Sequence, residues 1–229
     1  HINTANVYGN HRPIGKAIKK SGIKREDIFL TTKIWRNQFK YQDLLDAAHR
    51  FQEELQTDYF DLLLLHWPNA SVPVSESLKA MSKLKDEGII KAFGVSNFTK
   101  KHLKEALSTD HQFEVNQVEY HPSLNQEELR EFCQKNDIII TAYSPLGRGE
   151  DLDLPIIKKL SDKYEVSASQ VILNWLMQKG LVAIPKATSK SHLQDNFDSL
   201  SWQLEEQDIE KIDQLNSNSR FVNPSFADF

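Results

Sequence analysis

Strand-like and helical runs alternate along this chain, and that alternation limits the folds open to it more than any other feature. By hydrophobic periodicity, residues 28–32 read as a strand and 42–56 as a helix, 59–65 and then 74–87 repeat the pair, and 90–95 precedes 100–107. The order continues with 114–118 before 126–136, 138–142 before 167–178, and 182–184 before 191–197. Such an order, joined by short connections, calls for a parallel sheet with helical crossovers. Punctuation agrees: Ser167 is placed to cap the helix that follows it, while Gly88 and Gly180 are placed to close the helices before them.

A chain of 229 residues without a low-complexity segment fits one domain, residues 1–229. Its 28 basic and 32 acidic residues give a formal charge of −4, which offers no electrostatic footprint for nucleic acid or an anionic membrane. The longest apolar runs, such as residues 60–65, fall far short of the roughly 20 residues a spanning helix needs. The single cysteine, Cys133, excludes an intrachain disulfide and a thiolate cluster, and no histidine spacing suggests a metal site. A cytoplasmic protein acting as a monomer is expected.

In a parallel α/β fold, chemistry gathers at the carboxyl ends of strands. The opening residues, His-Ile-Asn-Thr-Ala-Asn-Val-Tyr-Gly, read as a strand turning into a loop, and they place Asn3 and Tyr8 at such an end. The run from Ile28 ends on Lys33 and the run from Tyr59 ends on His66, each close before a tryptophan, Trp35 or Trp67. A phenol, an amine and an imidazole on neighbouring strand ends form an acid-base constellation. A cation beside Tyr8 would favour its phenolate and make it a better proton donor at neutral pH.

These stretches carry a resemblance. His1-Ile2-Asn3-Thr4-Ala5 with Tyr8-Gly9-Asn10, Thr31-Thr32-Lys33-Ile34-Trp35, Leu65-His66-Trp67-Pro68, Gly94-Val95-Ser96-Asn97-Phe98, Asn116-Gln117-Val118-Glu119-Tyr120-His121-Pro122 and Ile184-Pro185-Lys186 together resemble the aldo-keto reductases. The resemblance implies a TIM-type (β/α)8 barrel and NADPH-dependent reduction of small aldehydes or ketones. Seven strand runs are found where such a barrel has eight, so residues upstream of His1 are expected to supply the first strand and helix, the alternative being a rearrangement that fills the gap.

By the same resemblance, Tyr8 donates the proton, Lys33 supports it, and His66 orients the carbonyl oxygen. Asn3 stands where the family carries aspartate, which keeps the shape but removes the negative charge that would pair Lys33. A slowed reductase is expected; the alternatives are a catalytically impaired NADP(H)-binding member and a truncated remnant. No Gly-x-Gly-x-x-Gly loop is present. The resemblance assigns Ser96, Asn97 and Gln117 to the nicotinamide carboxamide, Tyr143 to the ring, and Ser144 and Leu146 to the pyrophosphate loop.

The resemblance also implies that Lys186, Thr188, His192, Asp195 and Asn196 hold the adenosine end, with Lys186 suited to a ribose 2′-phosphate. Many relatives carry arginine where His192 stands. Val7, Trp35, Trp67 and the tail would face the substrate, and Arg220-Phe221-Val222-Asn223-Pro224 resembles the closing segment of family members that reduce methylglyoxal or keto-sugar acids.

Overall fold

A computed structural model describes residues 1–229, with seven strands and nine helices. The chain divides into two compact units, His1–Asn116 with Phe229, and Gln117–Asp228.

In the first unit β1 (Ile2–Asn3), β2 (Leu30–Ile34), β3 (Phe60–Leu65) and β4 (Ile90–Ser96) pair in chain order, all parallel, with Asn3 beside Thr31, Lys33 beside Leu64, and Leu65 beside Val95. Every residue of β2 and β3 is buried, as expected of parallel strands covered on both faces. The helices α1 (His11–Ser21), α2 (Tyr41–Leu55), α3 (Val74–Asp86) and α4 (Lys100–Leu107) complete the unit. On α2 the buried set Leu44, Ala47, Ala48, Phe51 and Leu55 forms one stripe. Leu62, Leu64 and Val115 pack together in the core with Ala92. Two glycines permit close approach: a Cβ on Gly15 would lie 2.6 Å from Leu55 O, and one on Gly94 would lie 2.4 Å from Val115 O.

β5 (Val115–Glu119) straddles the division, and the sheet order runs from β1 through β6 (Ile139–Tyr143) to β7 (Val182–Ala183). In the second unit β6 and β7 pair in parallel, and α5 (Glu127–Lys135), α6 (Pro155–Tyr164), α7 (Ala168–Gln178), α8 (Lys190–Asp198) and α9 (Glu206–Asp213) surround them. Ser167 caps α7 by accepting from Gln170 N at 3.1 Å, as its sequence position suggests. The helices α6 and α9 occupy segments to which the sequence reading assigns no element. The strand expected at 182–184 is shorter by one residue.

Candidate functional site

The opening strand is two residues long and ends at Asn3, after which the chain makes a short 310 turn over Asn6–Tyr8 closed by Gly9 at φ 64°. That turn brings Tyr8 back over the ends of β2 and β3. Alternation along β2 does the rest: Thr32 points toward α1, where its Oγ1 lies 2.8 Å from His11 Nε2, and Lys33 points the opposite way.

Lys33 is 2% exposed. Its Nζ donates to Asn3 Oδ1 at 2.6 Å and to Thr4 O at 2.9 Å, and it lies 5.4 Å from the centre of the Tyr8 ring. Both hydrogen-bond acceptors are neutral. Burial therefore acts against the ammonium with no carboxylate bonded to it, and pushes Lys33 down to about 7.

His66 follows the last residue of β3. Its ring stands edge-on to Tyr8 at 5.7 Å and to Trp35 at 5.1 Å between centroids. Burial first, and the Lys33 charge second, push it down to about 3, so the ring is neutral at physiological pH. Its Nδ1 is buried without a partner, which leaves Nε2 as the nitrogen able to meet a ligand.

Tyr8 is 54% exposed, yet the burial of the rest of it holds its phenol above its ordinary value. The Lys33 Nζ donates to Asn3 and Thr4.

Asn97 enters the same group from the end of β4. In a left-handed conformation at φ 61°, it donates through Nδ2 to His66 O at 3.0 Å and to Ser96 Oγ at 3.1 Å. The amide thereby fixes the backbone of the residue whose ring faces Tyr8. Trp67 is buried, with its ring 5.8 Å from that of Phe229, and Val7 is half exposed on the 310 turn. The first unit thus gathers Asn3, Tyr8, Lys33, His66, Trp35 and Asn97.

The remaining assigned residues lie in the second unit. Gln117 is buried on β5, and Tyr143, partly exposed, ends β6. Ser144 follows at φ 47°, and Leu146 precedes a stretch of 310 turns over Gly147–Asp153. Lys186 and Thr188 are exposed in the loop after β7, with His192 exposed on α8. Asn196, also on α8, is partly buried. Asp195 is engaged with its neighbours, accepting from Ser167 Oγ at 2.7 Å and Gln170 Nε2 at 2.8 Å. A buried amide, Gln117, a partly exposed aromatic ring and an exposed lysine are groups that suit the carboxamide, the ring and the phosphate of a dinucleotide.

Sequence reading passed over His121, Glu119 and Asp151, which form a buried cluster in the second unit. Glu119 and His121 stand two residues apart in the stretch 116–122, but no local signal joins them to Asp151, 30 residues on.

The sequence profile described as the Aldo/keto reductase family matches residues 1–217. Glyoxal reductase of Bacillus subtilis (strain 168) is 41% identical over 221 residues, covering 96% of this chain and 79% of that protein. The solved structure of MGS-M4, an aldo-keto reductase from a Medee basin deep-sea metagenome library, superposes with a TM-score of 0.95 at 34% identity, covering 100% of this chain and 86% of that one. An aldo-keto reductase of Bombyx mori in complex with NADP gives a TM-score of 0.92 at 31% identity, covering 98% and 81%.

Proposed function

The chain belongs to the aldo/keto reductase family, whose fold is an α/β barrel and whose members reduce carbonyl compounds with NAD(P)H, and from that premise we propose that it is an NADPH-dependent reductase of small aldehydes and ketones. The observation that carries this reading is the convergence on the Tyr8 ring of the Lys33 ammonium, 5.4 Å from its centre, and of the His66 ring, 5.7 Å between centroids, at the carboxyl ends of β1, β2 and β3.

Reduced nicotinamide, when bound, supplies hydride to the carbonyl carbon. The residues of this chain handle the oxygen. Neutral His66 donates through Nε2 to it and fixes its direction, and Tyr8 Oη delivers a proton as negative charge develops there. A charged Lys33 favours the resulting phenolate. Asn3 holds the lysine in place through Oδ1 but does not hold its proton, so the reductase is slowed.

Ser96, Asn97 and Gln117 would hold the carboxamide, Tyr143 the ring, and Ser144 and Leu146 the pyrophosphate. The adenosine end would be held by Lys186, Thr188, His192, Asp195 and Asn196. The exposed Lys186 favours NADPH over NADH, since a 2′-phosphate seeks a fixed cation. Trp35, Trp67, Val7 and the tail at 220–224 would surround the carbonyl. A small dicarbonyl such as methylglyoxal suits these apolar walls, in keeping with a relative that is a glyoxal reductase. The reading takes residues 1–229 as one domain, a monomer in the cytoplasm, where a single buried thiol, Cys133, stays reduced. No helix is long and apolar enough to cross a membrane.

Titrating NADPH against intrinsic tryptophan fluorescence, then adding methylglyoxal and following reduced-cofactor absorbance, tests the proposal. Saturable binding with substrate-dependent oxidation is expected. Binding without turnover would instead support an impaired cofactor-binding member.

A further inference from the structure

The second unit buries a charged cluster that the reduction chemistry does not use. Glu119 ends β5, His121 follows two residues later, and Asp151 lies in the 310 stretch Gly147–Asp153; each is at most 1% exposed. His121 Nδ1 lies 2.8 Å from Asp151 Oδ2, and its Nε2 lies 3.3 Å from Glu119 Oε1. A neutral imidazole has one N–H and can satisfy one of these oxygens, whereas the protonated ring satisfies both. Burying two carboxylates side by side is costly without compensating charge. The imidazolium and the Arg220 guanidinium, 3.8 Å from Glu119 Oε2, bring the cluster to neutrality.

Each carboxylate also holds backbone. Asp151 accepts from Ser123 N at 3.0 Å and Ser123 Oγ at 2.6 Å. Glu119 accepts from the backbone N–H of Phe221 at 2.8 Å and of Val222 at 3.1 Å, and the Phe221 ring lies 5.1 Å from that of His121. Gly147 completes the fit, because a Cβ there would lie 2.6 Å from Asp151 Cγ.

We propose that His121 is a positioning residue that, through Glu119 and Asp151, clamps both the tail at Arg220–Val222 and the loop at Gly147–Asp153 to the end of β5. The tail and the residues leading into that loop are the segments assigned above to the carbonyl and the cofactor, so the kinetic consequence rests on the proposed function; the clamp itself does not.

The clamp is pH-dependent. The charged groups facing the ring are Asp151 from the loop, Glu119 from β5 and Arg220 from the tail; the Tyr143 phenol of β6 acts on Arg220. Burial opposes the charged ring, but the hydrogen bonds to Asp151 and Glu119 outweigh it and hold His121 above its ordinary value. The contribution is complete below the ordinary histidine value of about 6.5, and it is lost as pH rises through the raised one.

The test is an NMR titration of the His121 ring in the full chain, with amide exchange at Phe221 and Val222, in the parent and in His121→Gln. The ring should carry both protons at pH 7, and in the variant both amides should exchange about tenfold faster or more. A ring that is neutral at pH 7, or amide exchange unchanged in the variant, overturns the proposal. Should the variant fail to fold, the parent decides: protection at the two amides must fall along the ring titration, and protection that stays flat overturns the clamp. With methylglyoxal, KM should rise about tenfold and kcat fall less. A parent without turnover would count against the reductase reading, while the ring and amide signals would still judge the clamp.

Discussion

Lys33 is bonded to a neutral amide: its Nζ donates to Asn3 Oδ1 at 2.6 Å. The ammonium is thus buried against dipoles, and its charge is held so loosely that it titrates at about 7.

This relationship predicts a pH limb. If charged Lys33 supports proton delivery by Tyr8, turnover falls as pH rises through about 7. Asn3→Asp supplies an anion and moves the limb upward, raising turnover at pH 8 by about fivefold for the first unit moved and by about tenfold at most, since only about a tenth of a group titrating at about 7 is charged there. A pH profile of kcat for both proteins checks this; a limb that stays in place contradicts it.

The same burial predicts a stability effect. The folded value of Lys33 is lowered, so the folded state binds fewer protons than the unfolded state between about 7 and 10.5. Its cost is therefore greatest at pH 7 and below, and it shrinks as pH rises toward 10.5. Replacing the ammonium by an apolar chain, Lys33→Met, should raise stability by about 1–3 kcal/mol at pH 7 and abolish turnover. Denaturant melts at pH 7 and pH 9 check both the gain and its decline with pH.

Much of this was legible in the sequence. β3, apolar throughout except at Asp61, and β2, short and rich in β-branched residues, read as strands, so the residues at their ends, Lys33 and His66, stood out. The helices α6 and α9 did not, because α6 carries four charged residues in ten and α9 four acidic residues in eight, which leaves few apolar residues to mark a period. The direction in which Tyr8 shifts depends on how the fold buries its phenol, and the clamp at His121 depends on contacts across 30 residues and more; neither has a local signal.

Gly94 shows how tightly β4 is held. A Cβ there would meet Val115 O at 2.4 Å and Leu64 Cδ2 at 3.0 Å, and the carbonyl belongs to a backbone that cannot swing aside. Gly94→Ala should destabilise the fold by about 1–3 kcal/mol, read as a lowered denaturation midpoint. An unchanged midpoint would mean that β4 and β5 separate easily.

Tyr8 is the proposed proton donor to the one reacting oxygen. The direct measurement is methylglyoxal-dependent oxidation of NADPH by the parent and by Tyr8→Phe, with NADPH affinity measured alongside. Loss of the hydroxyl should lower kcat by about 10²–10⁴-fold and leave NADPH affinity within about twofold. A Tyr8→Phe variant turning over at close to the parent rate would contradict it.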